Sequence, residues 1–168
     1  MKIGILSDSH LKTDLHRDAL DHLLAEGVEY LLHAGDIMLE EHLKMLEATK
    51  LPYACVYGNN DTALISLHEK YNIFQEPYYL KIDTLTIKMM HMPYYMSADV
   101  DMVVSGHTHI FEASISGETL FINPGEVCGR EKPLSECAVV LINEGVFEVI
   151  HYYRELSQGT WTKREIEL

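Results

Sequence analysis

Seven side chains combine metal-donor chemistry with an unusual placement: Asp8, His10, Asp36, Asn59, His91, His107 and His109. Each falls at or just after the carboxyl end of a short apolar run, and in open α/β sheets that edge is where sites assemble. Carboxylate, amide and imidazole donors without a thiolate suit Mn²⁺, Fe or Zn²⁺ rather than a cysteine-rich structural zinc site. Strand ends attract polar turn residues in any protein. That tendency accounts for Asp and Asn, but poorly for three histidines at two strand ends. Gly106-His107-Thr108-His109 is the most telling block, because packing gives little reason for two imidazoles flanking a threonine after a glycine.

The elements that must carry these residues follow from periodicity. Lys2 to Ser7 reads as a buried parallel strand that stops at Asp8. From Asp14, a helix N-cap, Leu15, Ala19, Leu20, Leu23 and Leu24 recur at three- and four-residue spacing up to the stop at Gly27. Glu29 to Ala34 is the second strand, ended by Gly35-Asp36, and a second helix spans roughly Glu40 to Ala48. Pro52 precedes a third strand, Tyr53 to Tyr57, closed by Gly58-Asn59-Asn60-Asp61 and followed by a short helix to about Lys70. This βαβαβα order predicts a parallel sheet with helices on both faces. The second half turns strand-rich: a hairpin of Tyr78 to Ile82 and Leu85 to His91, then Met102 to Ser105, and strands near Phe111 to Ile115, Thr119 to Asn123, Cys137 to Ile142 and Val146 to Tyr153. The expected fold is α/β, one domain over residues 1–168, with two mixed sheets packed face to face and flanked by outer helices, a four-layer sandwich.

The chain of 168 residues can bury a core without staples, and its 47% apolar content is that of an ordinary globular protein. Thirteen basic residues against 26 acidic give a net charge of −13, which argues against binding duplex nucleic acid or an anionic membrane. A phosphate substrate stays compatible, because bound cations reverse the local field. Cys55, Cys128 and Cys137 form no CxxC pair, so a reducing cytoplasm is expected rather than a disulfide framework. No signal peptide or membrane span is legible.

The ordered blocks Asp8-x-His10, Gly35-Asp36, Gly58-Asn59-x-Asp61, His91 and Gly106-His107-x-His109, with the later Asn123-Pro124-Gly125, resemble the calcineurin-like metallophosphoesterases. The resemblance covers essentially the whole chain and is strongest to the small bacterial and archaeal phosphodiesterases. It implies that Asp8, His10 and His109 hold one metal, that Asn59, His91 and His107 hold the other, and that Asp36 bridges them. It further implies a hydrolase carrying two divalent ions, Mn²⁺ foremost, with Fe, Ni²⁺ or Zn²⁺ as alternatives. A bridging carboxylate can hold two cations about 3.5–4 Å apart, the separation used in two-metal hydrolysis. The expected reaction is in-line attack on a small or nucleotide-like phosphodiester by a metal-bridging hydroxide, with Asp36, Asn59 and Asn60 at the reacting centre.

The sequence departs from the family in two places. Many members carry His where this chain has Asn60, and an amide cannot protonate a leaving oxygen. General-acid help is worth on the order of 10²–10⁴ in rate, so Asn60 favours diesters or activated esters over simple alkyl monoesters. His91 is followed by Met92-Pro93, and only 15 residues separate it from His107, too few for the crossover helix of relatives. A short loop with Tyr94 and Tyr95 is expected there, Tyr94 being a candidate substrate contact beside Asn60. Asp61 and His33 are expected to support the site from behind, and Glu126 or Arg130 to touch substrate. Met89, Met90 and Met92 are expected to fill the core. His16, His22, His42, His68 and His151 need no special role, most of them lying on helix positions expected to face solvent. The alternatives are a phosphomonoesterase with the same metals, or a metal-poor protein-binding scaffold like the retromer subunit that resembles this superfamily.

Overall fold

The computed structural model describes residues 1–168. Strand β1 (Lys2–Leu6) leads through helix α1 (Thr13–Ala25) to β2 (Tyr30–His33), then through α2 (Glu40–Ala48) to β3 (Tyr53–Val56). A 3₁₀ helix (Thr62–Leu67) and the two-residue β4 (Ile73–Phe74) close the first half. The second half is β5 (Tyr78–Ile82), β6 (Leu85–Met89), β7 (Met102–Val104), β8 (Phe111–Ser116), β9 (Thr119–Pro124), β10 (Leu134–Asn143), β11 (Val146–Glu155) and β12 (Trp161–Ile166). They form two mixed sheets, seven strands in the order β12-β11-β10-β1-β2-β3-β4 and five in the order β5-β6-β7-β9-β8. The α/β class with two packed mixed sheets is as expected from the sequence. No helix is long and apolar enough to cross a membrane.

Both faces of β1 are buried, which is why it reads as a continuous apolar run rather than an alternation. Ile3 and Ile5 face the other sheet, packing with Ile87, Met89, Val104 and Ile122. Leu6 faces the helices, with Leu20, Leu23, Leu43 and Leu46. The helices therefore cover one face of the seven-stranded sheet, not both as its βαβ order suggested; the five-stranded sheet covers the other. No helix lies in the second half, because β6 and β7 are parallel yet joined by a loop alone. Parallel neighbours need a crossover of a dozen residues or so, and here Lys88 pins that crossover. Its buried ammonium donates to the Ser97 carbonyl (2.9 Å), to Ser97 Oγ (2.8 Å) and to Asp99.

Two strands escape the sequence reading. β4 is two residues long, and β12 is an edge strand whose WTKREI sequence is charged and mostly exposed. Charged edges hinder aggregation but carry little hydrophobic pattern. The buried His16 and His42 correct the expectation of solvent-facing positions. His16 begins the i, i+3, i+4, i+7 stripe completed by Ala19, Leu20 and Leu23, so it shares their buried face. It stacks on His42 with ring centroids 4.3 Å apart. His151 is buried as well, against Phe111. His22 is half-buried against Trp161 of β12, and only His68 of the five is exposed.

Candidate metal centre

The carboxyl ends of β1, β2 and β3 carry Asp8, Asp36 and Asn59 to one edge of the seven-stranded sheet. The matching ends of β6 and β7 in the facing sheet carry His91, His107 and His109 to the same place. The loops are latched by backbone hydrogen bonds, from Asp8 N to Gly35 O (3.0 Å), His10 N to Asp36 O (2.9 Å) and Cys128 N to Asp8 O (3.1 Å). Nine non-glycine residues have positive φ, and six of them are Asp8, His10, Asp36, Met38, His107 and His109. Such conformations cost roughly 1–3 kcal/mol each and persist where the surroundings enforce them for function. Gly35, at φ +93°, fits because a Cβ there would lie 2.7 Å from His91 Nδ1.

The seven sequence-selected residues come together as two groups of donor atoms. Asp8 Oδ1 lies 3.3 Å from His109 Nε2 and 3.9 Å from His10 Nε2. His10 Nε2 lies 3.4 Å from His109 Nε2 and 3.6 Å from Asp36 Oδ2. In the second group His91 Nε2 is 3.0 Å from Asn59 Oδ1, 3.3 Å from His107 Nδ1 and 3.5 Å from Asp36 Oδ1, while His107 Nδ1 is 3.1 Å from Asn59 Oδ1. The two oxygens of Asp36 face one group each. Ligands at about 2.0–2.2 Å from one ion lie about 2.8–3.6 Å from each other, and every separation in the two groups except that of Asp8 from His10 falls in this range.

The donors are also aimed correctly. His91 Nδ1 donates to the Ala34 carbonyl (2.8 Å), which leaves Nε2 as a bare lone pair towards Asn59 and Asp36. His109 Nδ1 pairs with Glu126 Oε2 (2.6 Å), which turns its Nε2 to Asp8. Buried Asp8 Oδ1 has no hydrogen-bond partner, although Oδ2 accepts from Ser7 Oγ (2.6 Å) and His107 N (3.1 Å). Lone pairs facing one another, fixed by partners behind them, are the arrangement that holds a cation. Burial lowers the pKa of His109, but its pairing with Asp8, Cys128 and Glu126 outweighs this and holds the pKa up to about 12. The position between Asp8 and His109 thus demands positive charge, a proton or a metal.

Glu126 was expected to touch substrate, yet it is wholly buried and lies behind His109. Burial raises its pKa, but His109 and the amides of Lys132 and Arg130 bring it down to about 2. Its carboxylate also accepts from the Glu131 amide (2.8 Å), so it fixes the ring and the loop together. Glu126 follows Asn123-Pro124-Gly125 directly, and that block was the available signal for it. Loss of such a partner weakens metal affinity by about 10–100-fold. Glu126→Gln is expected to fall in that range by Mn²⁺ calorimetry. In protein stripped of metal, His109 holds both ring protons at pH 7, below its raised pKa. Mn²⁺ uptake there is therefore expected to release a proton, read with a pH indicator.

Asn60 donates from its amide nitrogen to Asp36 Oδ2 (2.7 Å) and from its backbone to Asp36 Oδ1 (2.9 Å). Asp61 accepts from Met38 N (2.6 Å) and Gly58 N (2.7 Å), fastening the Asp36 and Asn59 loops to each other. His33 sits behind the site, its Nε2 2.8 Å from Ser9 Oγ, which also meets His16 Nδ1 at 2.8 Å. Burial pushes the pKa of both imidazoles well down. Glu76, which the sequence did not single out, accepts from the His91 and Met92 amides. A groove of about 410 Å³ opens over the donors, with Asn60, Thr108, Ile110 and Arg130 on its walls. Tyr94 is 74% exposed and is not among the groove-lining residues.

A sequence model described as the calcineurin-like phosphoesterase superfamily domain matches residues 1–145. The chain belongs to that superfamily. It is 33% identical over 144 residues to a protein of Methanocaldococcus jannaschii named a phosphodiesterase, spanning 77% of this chain and 86% of that one. A solved archaeal phosphodiesterase superposes with a TM-score of 0.74 at 25% identity, covering 99% of this metallophosphoesterase and 100% of that chain. Vacuolar Protein Sorting 29 from Cryptosporidium parvum shares the fold, with a TM-score of 0.78 at 20% identity over 99% and 97% of the two chains. Phosphoester hydrolysis is thus the chemistry for which the superfamily is named.

Proposed function

We propose that this metallophosphoesterase is a dinuclear phosphodiesterase acting on a small or nucleotide-like phosphodiester. The observation that carries the reading is the pair of donor groups that share Asp36. Asp8, His10 and His109 would hold one divalent ion and Asn59, His91 and His107 the other, with Asp36 between them. Mn²⁺ fits these nitrogen and oxygen donors; Fe, Ni²⁺ and Zn²⁺ fit as well. When bound, such a pair activates water and neutralises charge on the phosphate. The chain's own contribution is orientation. Ala34 O and Glu126 set the ring orientations of His91 and His109, and Asn60 holds both oxygens of Asp36. The second amide proton of Asn60 is free for a nonbridging phosphate oxygen, and Arg130 on the groove wall adds positive charge.

The amide side chain of Asn60 cannot donate a proton to the leaving oxygen, which supports diesters over alkyl monoesters. With Mn²⁺, bis-(p-nitrophenyl) phosphate is expected to be hydrolysed with higher kcat/KM than p-nitrophenyl phosphate. A reversed preference would make the protein a monoesterase. The likeness to Vacuolar Protein Sorting 29 raises a scaffold reading, but a scaffold has no need of seven competent donors. The core shared by both sheets supports residues 1–168 working as one domain. Three unpaired, buried cysteines support a reducing compartment, the cytoplasm.

A further inference from the structure

A second cavity of about 510 Å³ adjoins the groove and shares Asn60 and Arg130 with it, with His10 in its wall. Its apolar walls are Leu11, Leu15, Met38 and Leu156, and its charged residues are Lys12 and Arg130. Leu11 is 63% exposed and Leu156 42%, although each is a large apolar side chain. Gly129, at φ +62°, lays the backbone of the 129–130 loop against Leu156; a Cβ there would lie 2.8 Å from Leu156 Cδ1. The cavity wall contains no carboxylate, in a chain with 26 acidic residues against 13 basic. Lys12 has no ion-pair partner, and Arg130 has only exposed Glu131 at 3.6 Å, a contact of little strength.

Apolar walls, two cations and continuity with the metal centre describe a substituent subsite. We propose that this cavity binds the retained ester group of the substrate, an apolar group of nucleoside size that carries a second anionic group. The inference rests on the phosphodiesterase reading and adds to it which side of the centre takes the larger group, and its charge. The volume lies within the range of small-molecule sites, roughly 300–1,000 Å³. The leucines and Met38 would hold the base or ring, while Lys12 and Arg130 would meet the second anion, such as a further phosphate.

Three substrates with the same p-nitrophenolate leaving group isolate this effect: methyl p-nitrophenyl phosphate, the p-nitrophenyl ester of thymidine 5′-phosphate, and its 3′-phosphorylated counterpart. With Mn²⁺, kcat/KM is expected to rise from the methyl ester to the nucleoside ester. The 3′-phosphate should add about tenfold more, the size of one hydrogen bond to a charged group. Lys12→Ala should remove most of the 3′-phosphate gain, and added salt should reduce it in the wild type. Leu156→Glu should remove both gains. Both variants should turn over the methyl ester like the wild type. Equal kcat/KM for all three substrates, or gains untouched by both variants, would overturn the subsite while leaving the diesterase reading intact. No turnover of any of the three would overturn that reading and the subsite with it.

Discussion

Asp36→Asn is expected to lower metal-dependent diester hydrolysis by more than about 100-fold, the upper end for residues that only support a ligand. The reason is geometric. Asp36 presents one oxygen 3.6 Å from His10 and the other 3.5 Å from His91, so its carboxylate faces both donor groups. An asparagine keeps the shape but removes the negative charge and replaces one acceptor with a donor. That donor would point at a position where the structure converges lone pairs. The Asn60 amide would also face another amide in place of its carboxylate. Melting temperature serves as the control for folding. Near wild-type kcat/KM in a folded Asp36→Asn protein would remove Asp36 from the centre.

Asn60→His is expected to shift the enzyme towards monoesters. General-acid assistance is worth on the order of 10²–10⁴, most for poor leaving groups. An imidazole at position 60 should therefore raise alkyl phosphate hydrolysis relative to bis-(p-nitrophenyl) phosphate by at least about tenfold. The full range is not expected, for two reasons. The side chain of Asn60 is engaged with Asp36, and replacing it loosens that carboxylate. Asp61 has both oxygens occupied by the Met38 and Gly58 amides, so it is not free to orient a neighbouring imidazole. The ratio of alkyl monoester to diester kcat/KM is the readout. An unchanged ratio with intact diester turnover would mean that position 60 does not set the substrate class.

The donor residues were legible because each sits where an apolar run breaks off, and the fold gathers those breaks at one edge. The blocks of short-range sequence, such as Gly35-Asp36 and Gly106-His107, mark turns whose backbone is tightly constrained. What sits behind the donors was much less legible. Glu126 pairs with His109, 17 residues away in sequence, and Glu76 with the amides of His91 and Met92, 15 and 16 residues away. Such pairings depend on three-dimensional approach and leave no periodic trace. His16 and His42 were misplaced because an imidazole was counted as polar, although Ser9, Thr13 and the Ile37 carbonyl satisfy their nitrogens in part. The helices were expected on both faces of the parallel sheet from its βαβ order alone; the second sheet, also expected, takes one of those faces. Nor could the exposed Leu11 and Leu156, 145 residues apart, be paired across one cavity by inspection of the chain.

The most direct test of the two-ion centre is a Mn²⁺ titration of chelator-treated protein, following bound metal and bis-(p-nitrophenyl) phosphate hydrolysis in the same samples. The expected result is negligible turnover without metal, two ions bound per chain, and activity that saturates as the second is taken up. No bound divalent ion and no turnover with Mn²⁺, Fe, Ni²⁺ or Zn²⁺ would contradict the account.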